Sequence, residues 1–190
     1  MKLCLWITGL PGSGKSTIAK KVREFLTNAA FETIILNLDE IRKSVTPEPD
    51  YSDRERDIVY AALTYMAMLL VTENCRSVII DATGNRRIYR ERARMLIPEF
   101  AEVYIRCPLD ICREREASRD AGYVQTGLYT KADSGLLKAG LPGITVPYEE
   151  SEHPDIIIDS NELTPSESAD KILKYVRYRW SPNSIHYSQA

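Results

Sequence analysis

GLPGSGKST, residues 9–17, is the stretch on which the fold of this 190-residue chain turns. It follows the apolar run LCLWIT and precedes IAKKVREFL, whose apolar residues recur at helical spacing. Residues 9–16 fit the pattern G-x-x-x-x-G-K-[ST], with the strand before and the helix after that this pattern requires. Its glycines let backbone N–H groups turn inward around an anion, at the positive end of the helix dipole. The run Gly9, Leu10, Pro11, Gly12, Ser13, Gly14, Lys15, Ser16 and Thr17 is therefore expected to hold the phosphates of a nucleotide. Lys15 would reach the β- and γ-phosphates, and the Ser16 hydroxyl would ligate Mg²⁺. What receives the terminal phosphate has to be read elsewhere in the chain.

Working outward, apolar runs alternate with helical patterns. Residues 3–8 read as a strand, 14–28 as a helix and 33–38 (TIILNL) as a second strand, followed by DEIR and the stiff turn TPEPD. Ser52 and Glu55 have the S-x-x-E form of a capping box. They open a long helix to about residue 74, with Ile58, Ala62, Tyr65 and Leu69 at helical spacing. Further strands are expected at 77–82 (SVIIDA), 102–107 (EVYIRC) and 155–158 (DIII), and helices at 86–97 and 109–117. A last helix starts with Thr164 as N-cap, Pro165 at its first position and Glu167 three along. Alternation of this kind implies a parallel sheet covered on both faces. The expectation is a three-layer α/β P-loop NTPase fold of the kinase-like type, with a mainly parallel five-stranded sheet. Residues 118–147 break the periodicity with five glycines and two prolines, a length that fits a functional lid. Residues 1–180 are expected to form a single domain and 181–190 a polar tail.

Composition narrows the class. Hydrophobic residues make up 44% and charged residues 27%, as in ordinary globular proteins, and the net charge is −2. That balance disfavours a nucleic-acid-coating surface. The four cysteines include no C-x-x-C pair, which speaks against a zinc site or a disulfide framework and for a reducing, cytoplasmic setting. The most apolar internal run, AALTYMAMLLV, covers 11 residues and is too short to span a bilayer. The long helix that contains it is also a candidate homodimer surface.

Three further groups carry chemistry. Asp39 follows the second strand, where ligands of such sheets gather, and its carboxylate can take a proton from an attacking hydroxyl and help hold Mg²⁺; an N-cap role is the alternative. Arg42 lies on the same face of a helical turn. Asp81 closes the third strand in the form of a Walker B carboxylate that would support Mg²⁺, or else caps the turn DATGN. Arg54, Arg56, Arg86, Arg87, Arg90, Arg113 and Arg115 surround the strand ends, and arginine forks suit phosphate and sulfate oxygens; a minority are expected to be functional. Thr130-Lys131-Ala132-Asp133 matches the guanine-reading [NT]KxD motif, but no apolar strand precedes it, so the match reads as coincidence.

Together these stretches resemble the adenylylsulfate kinase family over about residues 3–159. LWITGLPGSGKST is similar to the family's opening, and LNLDEIR to L-D-G-D-x-x-R, with Asp39 on the second aspartate and Arg42 on the arginine. YSDRERD resembles F-S-x-x-D-R through Tyr51, Glu55 and Arg56. EVYIRCPLDICRER resembles E-V-[FY]-V-x-[TC]-P-L-E-V-C-x-x-R. Most specific are GLYTKADSG, similar to G-L-Y-K-K-A-R-A-G, and LPGITVPYEE, similar to F-T-G-I-D-x-P-Y-E. Both fall in the aperiodic segment, which makes that segment a lid over the nucleotides.

The resemblance implies transfer of the γ-phosphate of Mg-ATP to the 3′-hydroxyl of adenylylsulfate, or of a related anionic nucleotide. Asp39 would be the base, Lys15 and Mg²⁺ would stabilise the moving phosphoryl group, and Arg115 would lie on the ATP side. Arg42, Tyr51 and Arg56 would hold the acceptor, and Lys131 would close from the lid. The chain also departs from the pattern. Asn37 replaces the first aspartate, and Val59 stands where the family has a substrate-binding asparagine. DATGNR replaces I-S-P-Y-R, and about eight extra residues lie between Arg115 and Gly127. DATGNR also resembles the D-x-T-N stretch of kinases similar to polynucleotide kinase. The sequence thus leaves three readings: the adenylylsulfate kinase; a kinase for another nucleotide-linked, sugar or polynucleotide hydroxyl; and a nucleotide-dependent regulatory module.

Overall fold

The computed structural model describes residues 2–74, 76–118, 127–137 and 140–180. Its sheet is five-stranded and parallel throughout, formed by β1 (Cys4–Gly9), β2 (Thr33–Asn37), β3 (Ser77–Asp81), β4 (Phe100–Arg106) and β5 (Ile156–Asp159), in the order β2-β3-β1-β4-β5. Side chains alternate across a strand, so β1 supplies both cores. Leu5 and Ile7 pack with Ala101, Val103 and Ile105 of β4 under α1 (Lys15–Asn28) and the final helix (Pro165–Trp180). Cys4 and Trp6 pack on the other face with Val78 and Ile80, under a long helix (Asp53–Thr72) and a shorter one (Arg87–Leu96). Two helical layers around one sheet give the expected three-layer architecture. In chain order the remaining helices are α2 (Leu38–Val45), α3 (the long one), α4 (the shorter one), α5 (Leu109–Ala117), α6 (Leu128–Asp133) and α7 (the final one).

Some expectations need correction. The helical turn expected over residues 39–42 extends into α2, an eight-residue helix capped by the Asn37 side chain. The apolar spacing read along α3 marks the wrong face. Ile58 is 53% and Tyr65 58% exposed, whereas Val59, Tyr60, Leu63, Ala67 and Val71 meet the sheet. This helix is apolar nearly all round, and with two apolar stripes periodicity cannot choose between them. Its capping box is only half made. The Ser52 hydroxyl accepts from the Glu55 N–H at 3.2 Å, but the Glu55 carboxylate turns to the Asp50 and Tyr51 N–H groups and to Arg42. Tyr51 adopts a left-handed φ of 57°, which brings those two N–H groups onto Glu55. The Thr164–Glu167 box of α7 is made in both directions.

Part of the expected lid, the extra residues before Gly127 and the tail 181–190 lie wholly or largely outside the described residues. Among the described residues no helix is long and apolar enough to cross a membrane.

Candidate active site

Strand C-termini in a parallel sheet point to one edge, and Gly9, Asn37 and Asp81 all end there. The phosphate loop leaves β1 with Gly9, Gly12 and Gly14 at φ 149°, 79° and 96°. Gly12 has no room for anything else, since a Cβ there would stand 2.2 Å from the Cys112 carbonyl oxygen. Lys15 Nζ donates to the Leu10 carbonyl at 2.9 Å, folded along the loop it would serve. Arg115, from the last turn of α5, donates to the Ser160 carbonyl at 2.8 Å and to its hydroxyl at 3.2 Å, and that hydroxyl donates to the Ser13 carbonyl. Arg115 thus braces the loop from behind, beside Gly14.

A cleft of about 500 Å³ opens in front of the loop. Gly12, Gly14, Lys15 and Ser16 line it together with Asn37, Asp39, Arg42, Tyr51, Arg56 and Asp81. The structure therefore brings together most of the residues singled out in the sequence. Asp39 sits in the first turn of α2, an exposed carboxylate lining the same cleft as the loop. Asn37 ties this corner together: its Nδ2 donates to Asp81 Oδ2 at 2.9 Å, and its Oδ1 accepts from the Asp39 and Glu40 N–H groups.

The part of the cleft lined by Arg42 and Arg56 is cationic but ordered. Arg42 pairs with Glu55 and lies 5.2 Å from the Tyr51 ring centre, so its guanidinium is held flat. Arg56 is only 8% exposed; its Nε donates to the Tyr51 carbonyl and its Nη2 to the Gly140 carbonyl at 2.9 Å. Among the described residues no carboxylate pairs with Arg56, and no cation pairs with the buried Asp81. An uncompensated buried charge costs several kcal/mol, so each of these two groups suits a counter-charge entering the cleft.

Two described segments of the aperiodic stretch pack on the phosphate loop and the adjoining strand end. Gly127, at φ 72°, starts α6, and Tyr129 of that helix donates its hydroxyl to the Pro11 carbonyl at 2.7 Å. Gly143 packs against Leu10, where a Cβ would come within 2.6 Å of its Cδ2. Further on, the Tyr148 hydroxyl meets Thr8 Oγ1 at 3.0 Å, and the Glu149 N–H donates to the Asn85 carbonyl. Arg90 is a buried strut rather than a phosphate ligand. Its Nε donates to Glu102, and the rest of its fork holds the carbonyls of Gly84 and Glu149. The Tyr60 hydroxyl, pushed up to about 12 chiefly by burial, stays protonated and accepts from the Gly84 N–H.

Not every expected residue reaches the cleft. Lys131 is exposed on α6 and lies outside the cleft lining, and Arg115 acts behind the loop. Asp133 of the TKAD match ends α6 and is paired with Arg113. Val59 is fully buried in the core and does not line the cleft at all. Sequence reasoning missed Lys43 and Tyr60, which do line it, as do Thr83 and Asn85 of the DATGNR departure. Lys43 follows Arg42 within one helical turn, a signal available once α2 is recognised as a helix.

A phosphate loop facing carboxylates and buried arginines across one cleft, on this sheet order, defines a P-loop kinase. The family model for adenylylsulphate kinase matches residues 1–159. A probable adenylyl-sulfate kinase of Pyrococcus abyssi is 34% identical over 170 residues, covering 90% of this chain and 92% of that protein. Another, from Bacillus subtilis, is 34% identical over 180 residues, covering 93% and 86%. The structure of the Mycobacterium tuberculosis APS kinase in complex with AMPPNP and APS superposes with a TM-score of 0.80 at 26% identity, over 93% of this chain and 98% of that one. The chain belongs to the adenylylsulphate kinase family, and it is an ATP-dependent kinase. The motif resemblance and the fold expectation are borne out together.

Proposed function

We propose that the chain transfers the γ-phosphate of Mg-ATP to the 3′-hydroxyl of adenylylsulfate, giving 3′-phosphoadenylylsulfate. The observation that carries this reading is Arg56, a buried cation lining the cleft with no carboxylate partner among the described residues. It asks for an anionic acceptor, and adenylylsulfate supplies the anion. Arg42, held flat by Glu55 and Tyr51, offers a second guanidinium beside it. The named relatives support the same acceptor.

Residues 9–17 would hold the phosphates of ATP, with Lys15 moving from the Leu10 carbonyl onto the β- and γ-oxygens. Asp39 would take the proton of the 3′-hydroxyl as its oxygen attacks the γ-phosphorus; the bond from that phosphorus to the bridging oxygen breaks, and ADP leaves. Residues Ser16, Asp39 and Asp81 fit Mg²⁺: all three line one cleft with hard oxygen donors, and Asp81 is a buried carboxylate with no cationic partner among the described residues. When bound, Mg²⁺ neutralises charge that develops on the phosphoryl oxygens. Arg115 would brace the nucleotide side, and Lys131 would meet the acceptor if α6 moves inward. Free thiols at Cys4, Cys107 and Cys112 agree with a cytoplasmic setting.

A second reading, another anionic nucleotide or sugar hydroxyl as acceptor, is favoured by Thr83 and Asn85, which line the cleft from the DATGN turn. An acceptor panel with Mg-ATP separates them. Adenylylsulfate should be the best substrate by kcat/KM. Activity on another acceptor without activity on adenylylsulfate would transfer the function to that acceptor.

A further inference from the structure

Asn37 and Asp81 are register partners at the C-terminal ends of neighbouring strands. The orientation of the Asn37 amide is fixed chemically, because the Asp39 and Glu40 N–H groups, at 3.0 and 3.2 Å, both need its oxygen. Its NH₂ must then face Asp81, which it meets at 2.9 Å. Asp81 is 5% exposed, borders the cleft and has no cationic partner among the described residues. One neutral side chain thus grips a buried carboxylate with one end and caps α2, the helix that carries Asp39, with the other. An aspartate at position 37 could keep the cap but would set a second carboxylate against the first with no donor between them. The family-like pattern L-D-G-D has its carboxylate at this position, whereas here the charge sits one strand over, on Asp81.

We infer that Asn37 and Asp81 act as a single unit that must carry one negative charge and one amide, with Asn37 the positioning residue for both Asp81 and Asp39. The inference rests on the proposed phosphoryl transfer, but part of its test does not. Three variants separate the roles. Asn37→Asp doubles the charge, Asp81→Asn removes it, and the reciprocal double variant restores it with donor and acceptor exchanged across the strands. Turnover with adenylylsulfate, Mn²⁺ binding in the presence of ADP by electron paramagnetic resonance, and thermal unfolding are read for each.

Each single variant should lose about tenfold or more in kcat and in Mn²⁺ affinity, the usual cost of disturbing a carboxylate's supporting shell. The double variant should recover most of that loss and lie above either single one. Asn37→Ser, which keeps a cap but is too short to grip Asp81, should weaken Mn²⁺ binding while the unfolding temperature stays within a few degrees. Losses that multiply in the double variant, or Asn37→Ser behaving as wild type, would overturn the unit. A wild-type protein that binds Mn²⁺ and ADP but does not use adenylylsulfate would overturn the proposed acceptor and leave the pair to be judged on Mn²⁺ binding.

Discussion

At the residue scale, three residues define the site: Asp39, Arg56 and Gly12. Among the described residues that line the cleft, Asp39 is the exposed carboxylate, whereas Asp81 is buried. Asp39→Ala should lower kcat by about 10³-fold or more while ATP affinity, measured by calorimetry, changes less than about threefold. Arg56→Gln removes a buried cation and keeps much of the side-chain volume. It should raise the KM for adenylylsulfate about tenfold or more and leave the KM for ATP nearly unchanged; equal effects on both substrates would make Arg56 a lid strut only. Gly12 carries a third expectation. With φ at 79° and a carbonyl oxygen 2.2 Å from any Cβ, Gly12→Ala should abolish nucleotide binding and lower the unfolding temperature. The sequence made Gly12 and Asp39 legible, because loop spacing and strand-end position are local signals. It could not show that Arg56 has no carboxylate partner among the described residues or that Val59 points into the core, because both depend on which face of α3 meets the sheet.

At the element scale, the strands were readable and the helical faces were not. Every strand was located to within a residue or two, since a short β-branched run bounded by turns has few other readings. α3 is apolar on two sides, and only the fit of Val59, Leu63 and Ala67 against β3 and α4 settles its rotation. The full length of α2 escaped notice because its N-cap, Asn37, is the last residue of a strand, so no loop separates the two elements. The lid motifs GLYTKADSG and LPGITVPYEE were recognised by resemblance, and the structure supplies the reason they matter: each docks on the phosphate loop or on the adjoining strand end. Tyr129→Phe removes the hydroxyl bonded to the Pro11 carbonyl and nothing else. One lost hydrogen bond of about 1 kcal/mol should raise the KM for ATP about fivefold, with little change in overall stability.

At the scale of the whole molecule, charge pairs at the rim set the response to acid. Asp133 is held below the usual carboxylate range chiefly by its hydrogen bonds to Arg113, and Asp159 likewise by Arg106, at 2.5 and 2.9 Å. A carboxylate whose folded value is depressed adds stability above its unfolded value of about 4, and that stability is lost as pH falls through the folded value. The unfolding temperature should therefore be level between about pH 7 and 5 and drop below about pH 4; Asp159→Asn should flatten part of that drop. The same molecule presents a cleft whose two buried charges, Arg56 and Asp81, have no protein counter-ions among the described residues, which is the physical basis for reading it as a two-substrate kinase with an anionic acceptor. Phosphorus NMR of the products formed from Mg-ATP and adenylylsulfate tests that claim most directly. The account predicts one new phosphomonoester, on the 3′-oxygen of adenylylsulfate, absent with Asp39→Ala. Consumption of ATP without that signal, or a phosphate on a different hydroxyl, would contradict it.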